Sequence, residues 1–294
     1  MNMVRTRDGR NVSANERQNT VLKKLYGTVW GRLLLKILTA PAVSEIVGAF
    51  MDSPLSKPFV SPFIRSHNID TSQYIMTEIR SYNDFFTRKI KPHSRQIDME
   101  KSHLISPCDS KLTVYRVNND SLFRIKNSLY SVADLLNSKK LAERYSGGLC
   151  LIFRLEVDDY HRYCYIDSGR KTENRFIAGE LHTVNPIALK YYNIYKRNCR
   201  EYTMLRTENF GNVIQAEVGA MMVGRIVNHH GKASFRRGEE KGMFMFGGST
   251  VVLLIERGRA VIDADIVRNS ASGIETVVKY GEKIGEKYKI IGQP

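Results

Sequence analysis

Residues 243–256 read MFMFGGSTVVLLIE: a short apolar run, two glycines, a serine, a threonine and then five aliphatic side chains in succession. Uninterrupted aliphatic runs of this length, bounded by turn residues, read as strands. A Gly-Gly-Ser between two such runs is the ordinary mark of a hairpin turn. The same residues carry a chemical alternative. With no side chain on Gly247 or Gly248, the backbone can adopt strained dihedrals that bring the Ser249 hydroxyl against the carbonyl before it. Attack there would convert an amide into an ester, and elimination from that ester would cut the chain between Gly248 and Ser249.

Strand-like texture extends in both directions from this stretch. LISPCDSKLTVYRV (104–117), GGLCLIFRLEV (147–157), GNVIQAEVGAMMVGRIV (211–227) and VVLLIERGRAVIDADIV (251–267) are apolar segments separated by Gly, Asn, Asp and Ser. Two short helices are expected among them. One spans 131–145 with Ser131 as N-cap, and the other is NPIALKYYNIYKRN (185–198), opening on Asn185-Pro186. The fold class is therefore α+β, a helical amino-terminal region followed by a mostly antiparallel β body with a few short helices. The chain divides into a polar mobile arm (1–20), a helical region (21–92) and a β-rich domain (93–294).

In the helical region, Leu22, Leu25, Tyr26, Val29, Trp30, Leu33 and Ile37 fall on one side of a single helical wheel. Arg32 and Lys36 interrupt the run well short of the roughly 20 apolar residues of a spanning helix. Residues 1–40 hold eight basic residues against Asp8 and Glu16. A basic helix with one apolar face suits the membrane interface, with Arg32 and Lys36 snorkelling, and equally suits packing on its own domain. Pro54, Pro58 and Pro62 mark a loop after it.

The formal charge of +15 predicts attraction to polyanions, either nucleic acid or an anionic membrane. Four cysteines without metal-site spacing are expected as free thiols, and no metal site is expected. The polar amino terminus lacks the apolar core of a signal peptide.

Self-cleavage at Ser249 needs a base and a group that orients it. Asp109, in SPCDSKL, and His161, in DDYHRYCYIDSG, are the candidates. Three readings follow from these residues: a self-cleaving enzyme, a serine hydrolase using Asp109, His161 and Ser249, and a basic nucleic-acid-binding β protein with KYYNIYKRNCREY (190–202) as stacking platform. The absence of a G-x-S-x-G elbow counts against the hydrolase.

DDYHRYCYIDSG (158–169), GELHTVNP (179–186), VGAMMVGRI (218–226) and RRGEEKGMFMFGGSTVVLL (236–254), in this order, resemble the blocks of the phosphatidylserine decarboxylases, and YNDFFTRKIKP (82–92) and SPCDSKL (106–112) match further ones. The resemblance covers the chain from about residue 25 to its end. It implies a proenzyme cut into a β chain (1–248) and an α chain (249–294) that stay associated, with Ser249 becoming a pyruvoyl group. That group is the only cofactor, and it acts through a Schiff base with the amine of phosphatidylserine to give phosphatidylethanolamine and CO2. The implied partner is phosphatidylserine in an anionic membrane, met peripherally from the cytoplasmic side without a transmembrane helix and without nucleic acid; a homo-oligomer is left open.

This chain departs from the family at a second histidine, three residues after the first, where it has Cys164. His161 is assigned to the decarboxylation site, as a proton donor or a contact for carboxylate or phosphate, and becomes the default base for self-cleavage. His182 is a rival for the base. A neutral Cys164 thiol would be a poor one.

Overall fold

The computed structural model describes residues 3–12, 22, 24–125, 128–183, 198–220, 225–246 and 249–288. The body is an eleven-stranded, largely antiparallel sheet. Its middle runs in the order Arg200–Thr207, Asn212–Val218, Ser249–Ile255, Leu149–Leu155, Ser110–Arg116 and Glu275–Val278. Ser249–Ile255 lies between two long partners, with Ser249 opposite Leu155, Thr250 opposite both Arg154 and Val218, and Val251 opposite both Phe153 and Glu217.

All seven residues of this strand are buried, because both sheet faces are covered. One face carries Cys150, Ile152, Ile214, Ala216, Val252 and Leu254, under Leu22, Tyr26, Leu35 and the helices Val132–Leu136 and Lys139–Glu143. The other carries Leu151, Phe153, Leu155, Val251, Leu253 and Ile255, under Tyr163, Tyr165 and Phe244. Strand alternation places the Ser249 side chain on this second face.

The two halves of MFMFGGSTVVLLIE do not form a hairpin. Glu240–Phe244 pairs with Arg162–Cys164 and Ile226–Asn228 in a separate three-stranded sheet, whereas Ser249–Ile255 enters the large one. The chain therefore crosses between sheets at this point. Gly247 and Gly248 themselves lie outside the described residues.

The amino-terminal helix is broken, which corrects the single apolar face. Thr28 caps a new helix, Val29–Leu38, by accepting from Gly31 N at 3.0 Å. A Cβ on Gly31 would sit 2.4 Å from the Leu25 carbonyl oxygen, so the tight turn requires glycine. Leu22 and Tyr26 consequently pack inward, while Val29, Trp30, Leu33 and Ile37 face outward. Helix Pro41–Asp52 follows, the pair being bent by 63° at the break.

The proline-rich stretch is helical rather than a loop, comprising a 3-10 turn at Pro54–Phe59 and the α-helix Val60–His67. Pro54 and Pro62 fall in first turns, where a missing N–H costs nothing. Residues 3–12 are held, not mobile: Val4–Arg5 pairs in parallel with Glu275–Val278, and Arg7 meets Asp263 at 2.8 Å and Asp265 at 2.6 Å. Apolar periodicity could not reveal a segment attached through its backbone and the guanidinium groups of Arg5 and Arg7. The 131–145 helix is two pieces parted by Asn137 in the left-handed region, and Ser131 caps the first as expected. The 185–198 helix candidate lies, but for Asn198, outside the described residues. All four cysteines are free and buried.

Candidate active site

Ser249 opens its strand fully buried, and its Oγ has no hydrogen-bond partner among the described residues. Burying a hydroxyl without a partner costs roughly 1–3 kcal/mol, which a fold retains where the atom has chemical use.

His161 lies across a small ring of chain from Ser249. Leu155 is the ladder partner of Ser249, and six residues later the chain reaches His161. The His161 carbonyl accepts from Phe244 N at 2.9 Å, and five residues after Phe244 comes Ser249. Two short connections thus close on both residues from opposite sides. The His161 ring rests on Phe86, centroids 4.0 Å apart.

Its Nδ1 lies 2.9 Å from the Asp159 carbonyl oxygen. A carbonyl can only accept, so Nδ1 carries the proton and Nε2 the lone pair. That Nε2 is buried and without a partner among the described residues. Burial is the dominant influence on the ring and pushes its pKa down to about 3, so the imidazole is neutral at physiological pH. A neutral ring with a free acceptor nitrogen has the form a general base requires.

Asp109 and His161 are not hydrogen-bonded to each other. The Asp109 carboxylate pairs with Arg95, accepts from Tyr280 N at 2.8 Å and lies 3.5 Å from Lys279 Nζ. With Nδ1 of His161 turned to a main-chain carbonyl, the Asp-His link of a hydrolase triad is not built. Cys164 is buried near the same region, its Sγ 3.9 Å from the Ser106 carbonyl, and burial pushes its thiol up to about 12. His182 has its Nε2 2.6 Å from Glu180 and its Nδ1 3.4 Å from the Tyr26 hydroxyl. Tyr26 belongs to the core on the face opposite the Ser249 side chain.

Residues 190–197 of the tyrosine-rich segment lie outside the described residues; of the rest, Cys199, Arg200 and Tyr202 are buried and present no stacking surface. Among the described residues, no three His, Cys, Asp or Glu side chains gather as a metal-binding group.

The structure adds residues that single motifs did not single out. Helix Tyr82–Phe86, closed by a Ser81–Asp84 capping box, grips the approach to the Gly-Gly-Ser site. Asn83 Oδ1 accepts from Phe246 N at 2.9 Å, and the Phe246 ring packs 5.0 Å from Tyr82 and 5.6 Å from Phe86. Phe86 therefore touches both His161 and Phe246. The only sequence mark of this role was the uninterrupted YNDFF block. A second fastening is the fully buried Lys241–Glu217 pair at 2.8 Å, which ties Glu240–Phe244 to the strand flanking Ser249–Ile255.

Residues 82–286 match the family model described as phosphatidylserine decarboxylase. Phosphatidylserine decarboxylase proenzyme 2 of Clostridium acetobutylicum is 52% identical over 270 residues, covering 92% of each chain. The phosphatidylserine decarboxylase proenzymes of Clostridium tetani and Ruminiclostridium cellulolyticum are 44% and 41% identical, over 83% and 90% of this chain and 84% and 90% of their own.

Proposed function

From the premise that the chain belongs to the phosphatidylserine decarboxylase family, we infer that Ser249 and His161 carry out its maturation, and that the mature enzyme converts phosphatidylserine to phosphatidylethanolamine and CO2 at a membrane surface. The observation that carries this reading is the pair of buried atoms, Ser249 Oγ and His161 Nε2, each without a hydrogen-bond partner among the described residues, with Ser249 paired to Leu155 six residues before His161 and the His161 carbonyl bonded to Phe244 five residues before Ser249.

His161 Nε2 takes the hydroxyl proton of Ser249 as Oγ bonds to the Gly248 carbonyl carbon. The C–N bond to Ser249 breaks, its nitrogen receives the proton, and an ester links the two residues. Loss of the Ser249 α-proton then expels the Gly248 carboxylate, leaving dehydroalanine, and water replaces its nitrogen as ammonia to give a ketone. The buried Ser249 position at a strand start, with no hydrogen bond to break, fits this conversion. When present, the pyruvoyl ketone offers an electrophile for the substrate amine and a sink for the electrons released as CO2 departs.

Cutting before residue 249 leaves the new α chain in place. Its first strand keeps seven ladder pairs on one side and six on the other, with Val251–Ile255 almost wholly removed from water. Residues 1–248 and 249–294 therefore remain one body, within a helical region (21–92) and a catalytic domain (93–294).

A depressed pKa makes maturation insensitive to mild acid. The base form of His161 persists until pH falls toward 3. Self-cleavage of fresh precursor, followed on denaturing gels, should stay level from pH 8 to 5, whereas a histidine titrating near 6.5 would lose about 30-fold by pH 5. A loss of that size would show that the base is not this buried ring.

The outward apolar side chains support attachment to a membrane through this region. Trp30 is 82% exposed, Leu55 75% and Ile46 71%, with Arg32, Lys36 and Lys57 exposed among them. No single helix among the described residues is long and apolar enough to cross a bilayer. Seating Val29, Trp30, Leu33 and Ile37 among acyl chains, with the cations at lipid phosphates on the cytoplasmic face, gives peripheral attachment worth several kcal/mol at about 1.5–3 kcal/mol per side chain. The same region reaches the site: Ser56 Oγ accepts from Tyr82 N at 2.8 Å, and Asp52 accepts from Asn83 at 2.8 Å. Changing Trp30, Leu33 and Ile37 together to serine should lower sedimentation with anionic vesicles by at least about tenfold. Undiminished binding would remove this face from the attachment.

A further inference from the structure

We propose that Arg88 binds the phosphodiester of the substrate headgroup, an assignment that rests on the decarboxylase reading and extends it. Arg88 is 2% exposed and lies on the YNDFFTRKIKP block, two residues beyond Phe86. It has no carboxylate partner among the described residues. Its Nη1 donates to the Phe85 carbonyl at 3.3 Å, its Nη2 donates to those of Asp158 at 3.1 Å and Asp159 at 3.5 Å, and its Nε is buried with no acceptor among the described residues.

Other buried cations nearby are satisfied. Arg154 is paired with Glu275, Lys111 with Asp159 and Lys241 with Glu217, and the half-buried Arg95 with Asp109. Arg237 lacks a carboxylate but places all three guanidinium nitrogens on carbonyls. Arg88 alone of this group keeps both an unopposed charge and an idle donor. A buried charge in that state is costly unless an anion arrives to meet it.

Its position is at the site. The Asp159 carbonyl that accepts from Arg88 Nη2 is the one that accepts from His161 Nδ1. The guanidinium carbon lies over two rings, 4.4 Å from the Tyr74 centroid and 4.8 Å from that of Phe85. Cation–π contacts of this kind hold the guanidinium in place, and a guanidinium so held can meet a phosphate in a forked pair.

The headgroup offers two anions, and the reaction distinguishes them. The carboxylate departs as neutral CO2, so a cation fixed on it would stabilise the ground state against the step to be accelerated. The phosphodiester is unchanged from substrate to product. An arginine there contributes uniform binding, which appears in KM and not in kcat.

The test uses full-length, self-cleaved protein and monomeric dihexanoyl phosphatidylserine. Arg88→Met should raise KM by at least about tenfold with kcat nearly unchanged, and Arg88→Lys, which keeps the charge and should fold where Met does not, should fall between. Competitive inhibition by glycerophosphoethanolamine should weaken by the same factor as KM rises. An unchanged KM in Arg88→Lys and any folded Arg88→Met, a fall confined to kcat, equal inhibition of wild type and variant, or failure of a folded variant to self-cleave would each overturn the assignment. Failure of the underlying reading would show in the wild type itself, as an uncut chain or no CO2.

Discussion

Ser249→Ala yields one uncut chain that folds and releases no CO2 from phosphatidylserine. The substitution removes a single atom, Oγ, which has no hydrogen-bond partner to strand. No hydrogen bond is lost and the roughly 1–3 kcal/mol penalty of the unpartnered hydroxyl is relieved, so the variant folds at least as stably as the wild type. The ladders to Leu149–Leu155 and Asn212–Val218 are made by the backbone and persist. With folding preserved, loss of both cutting and activity isolates the hydroxyl as the origin of the reactive group. Gel mobility, intact mass and CO2 release measure the three consequences; activity in the uncut variant would contradict the role given to Ser249.

His161→Phe slows self-cleavage by about 10²–10⁴-fold, the usual contribution of a positioned general base. Phenylalanine retains the contact with Phe86, 4.0 Å from the present ring, and removes the lone pair. It also deletes the Nδ1 bond to the Asp159 carbonyl, so thermal unfolding measured beside the cutting rate separates fold from chemistry. His182→Gln is the informative companion. Its ring is engaged by Glu180 and Tyr26, and its rate of cutting should match the wild type. A slow His182→Gln beside a normal His161→Phe would exchange the two assignments.

The strand beginning at Ser249 was legible because five consecutive aliphatics leave little else to form; that both its faces are buried is seen only in the structure. The crossing between sheets was not, since Gly-Gly-Ser serves equally a hairpin and a chain leaving one sheet for another. The amino-terminal apolar face was misplaced because a wheel assumes a straight helix, and the bend at Thr28 sends Leu22 and Tyr26 inward and Trp30 outward. At the site, Ser249 and His161 were legible as residue types with neighbours. Which group would hold each was a matter of tertiary register: Asp109 is claimed by Arg95 and the Lys279–Tyr280 turn, and the orienting partner of His161 is a carbonyl that no side-chain pattern records. Phe86 and Asn83 act on residues about 75 and 163 positions away, beyond any local reading.

The most direct measurement is the intact mass of the freshly purified, denatured protein, with Edman degradation of whatever small fragment appears. Two chains divided between residues 248 and 249, the smaller one yielding no amino-terminal residue because a ketone stands in place of its amine, is the outcome that self-processing at Ser249 requires. A single 294-residue chain that nonetheless decarboxylates phosphatidylserine would contradict it.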